Sequence, residues 1–203
     1  MVTFSAFTSV QQHQINQLDH LHEPTTYKEA ATSTHWVHAM NVEIDALQAN
    51  HTWIKVDLPP GKRVISSKWV YKIKLKADGT LERYEARLFI RGNTQKEGID
   101  YTEIFFPVIK MTTVRTIIAL AAARKWPLYQ LDVNNVFLHG DLHEEVYMKM
   151  PEGILNPTNK VSRLQKSLYG LKQASKQWHI KLADFLKTQG YIYSKNDYSL
   201  FLK

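Results

Sequence analysis

Cysteine is absent from the 203 residues, which excludes a disulfide framework and any thiolate metal site. No apolar run approaches the ~20 residues that a membrane-spanning helix requires. The opening Met1-Val-Thr-Phe-Ser-Ala-Phe7 has no charged region and no long apolar stretch, which speaks against a secretory signal. An intracellular location is the expectation, with cytoplasm and nucleus both open. There is also no Gly-rich phosphate loop, no nucleophile elbow, no Ser-His-Asp arrangement and no internal repeat. What remains is 44% hydrophobic and 22% charged, an ordinary globular composition. A packed core is expected, and disorder is not.

The net charge of +7 is concentrated in one place. Residues 61–96 hold ten Lys or Arg against three acids, while the rest of the chain balances at sixteen of each sign. Such a patch raises the local potential for polyanions such as nucleic acid or nucleotide phosphates. A solvated lysine-rich strand surface that resists edge pairing is the plainer alternative.

Residues 1–24 are polar, Gln/His-rich and without periodicity, and form a loose lead-in. Trp36, Met40, Ile44 and Leu47 recur at helical spacing and predict a helix over 26–49. After Leu58-Pro-Pro-Gly61, the residues Ile65, Trp69, Tyr71, Ile73 and Leu75 alternate with Lys68, Lys72, Lys74 and Lys76. Period-two alternation puts one apolar face inward and a row of ammonium groups outward. Asp78-Gly79 is a hairpin turn. On the return strand, Arg83, Glu85 and Arg87 share one face and Tyr84, Ala86, Leu88 and Ile90 the other. A second helix, from Thr112 or Thr113 to Lys125, is expected to be deeply buried through Ile117, Ile118, Leu120 and Ala121–Ala123.

Leu128 to Val133 reads as a short buried strand carrying Asp132, and residues 141–150 as a further hairpin or short strand. A third helix spans 171–189, striped by Trp178, Leu182, Phe185 and Leu186 and ended by Gly190. The chain finishes in the strand-like Tyr198–Lys203.

Asp132 is the acid to single out. A carboxylate at the end of a buried strand needs a cation or hydrogen-bond donors to stay ionised, and Mg²⁺ is one such partner. An Asp that caps the turn after the strand is the alternative. His139 and His143 stand at i, i+4 spacing, but Gly140 weakens a helix there and the Glu of a zincin is missing.

Several segments together resemble the copia-type LTR-retrotransposon reverse transcriptase domain. They include Asn50-His-Thr-Trp53, Lys68-Trp-Val-Tyr-Lys72, Ala86-Arg-Leu88, Arg91-Gly92, Phe106-Pro-Val108 and Gln130-Leu-Asp-Val133. Phe137-Leu-His-Gly-Asp-Leu142 and the highly specific Ser167-Leu-Tyr-Gly-Leu-Lys-Gln-Ala174 complete the set. The resemblance implies an α+β right-hand polymerase fold, with a reverse transcriptase fragment over 25–203, fingers over about 50–125 and palm over about 126–203. It implies RNA-directed DNA polymerisation from dNTPs on a template-primer, with Mg²⁺ held by Asp132 and the Val133 carbonyl. Nucleotide contacts would fall to Arg87, Lys72, Lys74, Phe137, Tyr169, Gly170 and Lys172. Lys68, Lys76, Arg83 and Arg91 would add a nucleic-acid patch.

The departures from the family pattern are specific. No Asp-Asp pair occurs in the chain, Glu85 stands where a Lys is usual, Asn134-Asn135-Val136 replaces Lys-Asn-Ala, and Ser175 replaces a Pro. The thumb, RNase H and integrase of a Pol polyprotein are not in these residues. The expectation is therefore a fragment with an incomplete palm sheet at its C-terminus, inactive alone. A non-enzymatic nucleic-acid-binding remnant is the alternative.

Overall fold

The computed structural model describes residues 22–133 and 135–203; most of the expected lead-in, residues 1–21, lies outside the described residues, as does Asn134. The helix expected over 26–49 forms as two pieces, α1 (Tyr27–Ala30) and α2 (Thr34–Ala49). The break follows from local hydrogen bonding. The Thr32 hydroxyl donates to the Glu29 carbonyl at 2.7 Å, competing with the helical ladder, and Ser33 then starts α2 from an extended backbone. The predicted stripe holds in α2, where Trp36, Met40 and Leu47 are buried. Trp36 meets Tyr71 and Tyr84 edge-on, at ring separations of 5.3 and 4.8 Å.

A four-stranded sheet has the order β1 (Trp53–Val56), β6 (Val161–Leu164), β5 (Tyr147–Lys149), β2 (Val64–Ile65). Its pairings are antiparallel except β2 with β5. Sequence reading missed β1 and β6, which are too short to show a period. Next to this sheet stands the hairpin of β3 (Ser67–Leu75) and β4 (Leu81–Ile90). Gly79 turns it with φ 82°, while Asp78 Oδ1 accepts from the Thr80 amide at 2.9 Å. The register places Trp69 opposite Leu88 and Tyr71 opposite Ala86, all buried, with Lys72 opposite Glu85 on the outer face. The predicted faces are therefore the observed ones, and one core joins α2, the hairpin, Val146, Met148 and Leu164.

Two expectations of burial fail. In α3 (Met111–Arg124) only Ala121 is buried, and Ile118 is half exposed. The helix ends at Lys125, in a left-handed conformation, two residues before Pro127. Residues 128–133 form no strand, and Leu131 is 90% exposed. An alternating pattern makes a strand only when a neighbour takes its backbone hydrogen bonds, and no described residue pairs with this segment. The last helix, α4 (Ala174–Thr188), buries Ala174, Gln177 and Ala183, while Phe185 of the expected stripe stays exposed. Gly190, at φ 83°, ends it as expected. A two-stranded ladder, β7 (Ile192–Tyr193) with β8 (Phe201–Leu202), closes the described chain. The fold is α+β.

Candidate nucleotide and nucleic-acid interface

The site is organised by a crossing of two backbones. The Ile90 amide donates to the Tyr169 carbonyl at 2.7 Å. A Cβ added to Gly92 would lie 2.0 Å from the Gly170 carbonyl oxygen, and one added to Gly170 would lie 2.1 Å from that of Ile90. Only glycine permits chains this close. Side-chain amides secure the crossing. Gln95 donates to Gln173 at 3.0 Å and accepts from the Lys172 amide at 2.9 Å, and Gln173 donates to the Asp100 carbonyl at 3.1 Å. All three side chains are buried. Sequence reading missed Gln95, Asp100 and Gln173 as a network, although Gln173 lies in the most specific motif.

Above the crossing, the Tyr169 ring lies between Phe89 and Phe137, at ring separations of 5.3 and 4.9 Å. Burial pushes the Tyr169 hydroxyl pKa up, against the pull of Arg87, and Glu43, Glu85 and Asp132 push it further. Arg87 Nη1 donates to Glu43 at 2.5 Å and to Asn135 Oδ1 at 2.7 Å, and its Nη2 donates to Glu85 at 3.2 Å. Burial works against the Arg87 charge, but Glu43 and then Glu85 more than offset it, so its pKa is raised. Glu43 is itself buried, and its other oxygen accepts the Leu88 amide at 3.3 Å. Arg87 thus ties α2 and β4 to the turn at Asn135, which has φ 52° and leads into a 3-10 turn, Val136–His139, holding Phe137.

The structure therefore brings Arg87, Phe137, Tyr169 and Gly170 together, and no hydrogen bond or ion pair among the described residues ties Asp132 to them. It engages Lys172 and Lys72 elsewhere, and sets Lys74 against the same Glu85 that holds Arg87. Lys172 Nζ donates to the Tyr101 hydroxyl at 3.1 Å and lies over that ring, Lys72 pairs with Glu23 at 2.7 Å, and Lys74 lies 3.5 Å from Glu85.

The basic stretch is neutralised more fully than its sequence implies. Lys62 pairs with Glu145 at 2.6 Å, Arg63 approaches Asp100 at 4.0 Å, and Arg83 pairs with Glu82. Lys68 and Arg91 have no ion pair among the described residues, and with Lys149, Ser66, Ser67 and the acid Glu152 they line a polar cavity of about 230 Å³.

The donor set does not fit a pair of divalent cations. Asp132 is exposed on an irregular segment, Val133 beside it is 42% exposed, and Glu43 and Glu85 are committed to Arg87. Among the described residues no three His, Cys, Asp or Glu side chains gather into a metal-binding group. His139 and His143 are both exposed, and no α-helix carries them.

The family model of reverse transcriptase (RNA-dependent DNA polymerase) matches residues 50–203. The chain is 46% identical over 186 residues to the retrovirus-related Pol polyprotein from transposon TNT 1-94 of Nicotiana tabacum, covering 89% of this chain and 14% of that protein. It is 44% identical over 183 residues to the corresponding polyprotein from transposon RE1 of Arabidopsis thaliana, covering 89% and 12%. The truncated transposon Ty1-A Gag-Pol polyprotein of Saccharomyces cerevisiae is 30% identical over 174 residues, covering 82% and 14%. The chain thus spans only 12–14% of the length of these relatives. No solved structure matches it. On these matches, the chain belongs to the reverse transcriptase (RNA-dependent DNA polymerase) family, as part of a copia-type retrotransposon Pol polyprotein.

Proposed function

We propose that this chain is the fingers-and-palm portion of a right-hand polymerase domain, and that it binds nucleic acid and nucleotide phosphates without polymerising by itself. The β3–β4 hairpin acts as the fingers, and the segment from Asp132 to Tyr169 carries the palm face. One observation supports the reading above all: the glycine crossing sets the hairpin's Arg87 beside Phe137 and Tyr169. Two aromatic rings packed edge to face beside a guanidinium suit a nucleotide, because an open ring face offers a stacking surface and the cation faces phosphate.

The family generally uses divalent metal ions, and Mg²⁺ with a template-primer and dNTP is the proposed cofactor and substrate set. One carboxylate cannot offset the mutual repulsion of two such ions, so no metal-dependent step is assigned to these residues alone. The lone Asp132 favours binding over chemistry as the chain's own contribution.

Fluorescence anisotropy on a labelled single strand or RNA–DNA hybrid tests this reading. Binding is expected to be weak, indifferent to sequence and strongly salt-dependent. Lys68→Glu with Arg91→Glu removes two unpaired cations and is expected to flatten the single-strand log–log salt slope by about 1.4. Charge reversal at Lys181, Lys187 and Lys195, outside the hairpin, is expected to do much less. Equal effects from both sets would refute the hairpin as the binding face, and dNTP incorporation lost on Asp132→Ala would refute the binding-only reading.

A further inference from the structure

Glu85 sits where three cations converge. Its carboxylate lies 3.2 Å from Arg87 Nη2, 3.5 Å from Lys74 Nζ and 3.6 Å from Arg83 Nη2. The hairpin register produces this arrangement. Arg83 and Arg87 flank Glu85 on the same face of β4, and Lys74 stands opposite Arg83 on β3. The Glu85 side chain is 17% exposed, whereas those of Lys74 and Arg83 are 46% and 55% exposed. The acid is thus the covered centre of the cluster, and the cations form its rim. Lys72, directly opposite Glu85, is paired with Glu23 instead.

Two carboxylates compete for Arg87, and they are held differently. Glu43 is buried and also accepts the Leu88 amide. Among the described residues no backbone amide donates to Glu85, which is held by side-chain ion pairs alone. If Glu85 swings away, Arg87 keeps its orientation through Glu43 and Asn135 and presents a freed Nη2. A phosphate group offers more charge and more acceptor oxygens to the same donors than a carboxylate does.

We propose that Lys74, Arg83 and Arg87 form an oxyanion site for phosphate groups and that Glu85 occupies it as an internal competitor. A polyphosphate then binds by displacing this carboxylate. The proposal rests on the reading that the hairpin faces a phosphate-bearing ligand.

The test is isothermal titration with inorganic tripolyphosphate in the absence of divalent metal. Glu85→Gln keeps the side chain's shape and removes its charge, and it is expected to tighten binding about tenfold, the combined size of a few partly exposed ion pairs. Adding Lys74→Gln to that variant is expected to abolish most of the gain. Glu97→Gln, which removes an exposed acid with no ion pair among the described residues, is expected to change nothing.

If Glu85→Gln binds like wild type while Lys74→Gln weakens wild-type binding, the internal competitor is refuted and the hairpin remains a phosphate site. Equal tightening by Glu97→Gln would also refute it, since net charge alone would then be at work. No binding to wild type or to Glu85→Gln refutes both the competitor and the phosphate-facing reading. A second measurement needs no variant: saturating wild-type protein with tripolyphosphate is expected to shift the Glu85 side-chain carboxyl carbon resonance. A stationary resonance at saturation overturns the proposal.

Discussion

Replacing Gly170 by alanine is expected to destabilise the domain far more than the same change at Gly79, although both residues have nearly the same backbone conformation. Gly79 has φ 82° and Gly170 has φ 90°, so each substitution carries the left-handed penalty of about 1–2 kcal/mol. At Gly79 an added Cβ meets nothing within 4 Å. At Gly170 it would lie 2.1 Å from the Ile90 carbonyl oxygen, so two backbones must part by about 1 Å. That movement strains the 2.7 Å bond from the Ile90 amide to the Tyr169 carbonyl, worth about 1–3 kcal/mol when a buried donor is left unpaired. Forcing the neighbouring packing apart adds about 1–3 kcal/mol. The total for Gly170→Ala is about 3–8 kcal/mol, a large share of the 5–15 kcal/mol typical of a domain. Urea titration followed by far-UV circular dichroism measures both variants. Equal losses at the two positions would show that the crossing is not tight and that the conformational penalty is all there is.

Glu43→Gln is expected to cost about 3 kcal/mol, because it leaves the Arg87 guanidinium without its most buried partner. A Glu43→Leu/Arg87→Leu double variant should recover at least half of that in the same urea titration, and no recovery would mean that the two side chains act independently. Asp197 gives a pH signature. Hydrogen bonds from the Ser199 hydroxyl, the Thr113 hydroxyl and the Ser199 amide hold its carboxyl down to about 2 from an ordinary 3.8. A depressed folded-state pKa means that the contribution is complete above the unfolded value and is lost as pH falls through about 2. Amide hydrogen-exchange protection in α3, corrected for the intrinsic rate at each pH, should therefore fall between about pH 4 and 2, and Asp197→Asn should flatten that dependence. An unchanged profile in the Asn variant would dissociate Asp197 from the docking of the C-terminal segment on α3.

Local signals in the sequence were enough for the hairpin. Alternation of period two assigned Trp69, Tyr71, Ala86 and Leu88 to the core face, and Asp78-Gly79 marked the turn, because each depends on residues next to one another in the chain. The α2 stripe and the Gly190 helix end were available for the same reason. The family motifs singled out Arg87, Phe137 and Tyr169, which lie close together in the structure, and the Ser167–Ala174 run already named the family that the relatives show.

Composition counted ten cations in 61–96 but could not say which acids would come to meet them. Glu43 reaches Arg87 across 44 residues and Glu23 reaches Lys72 across 49, and partners so distant leave no periodic trace. The same holds for the Gly92–Gly170 crossing, where the meaning of each glycine depends on a backbone far away in sequence. Periodicity also overstated burial in α3 and in residues 128–133, since an apolar stripe records the capacity to pack and only a neighbouring element supplies the surface. The sequence by itself determined which faces are apolar, where the chain turns and which family it joins. Tertiary structure alone decided which charges are neutralised and which backbones touch, because Coulombic pairing and steric contact depend on distance in space.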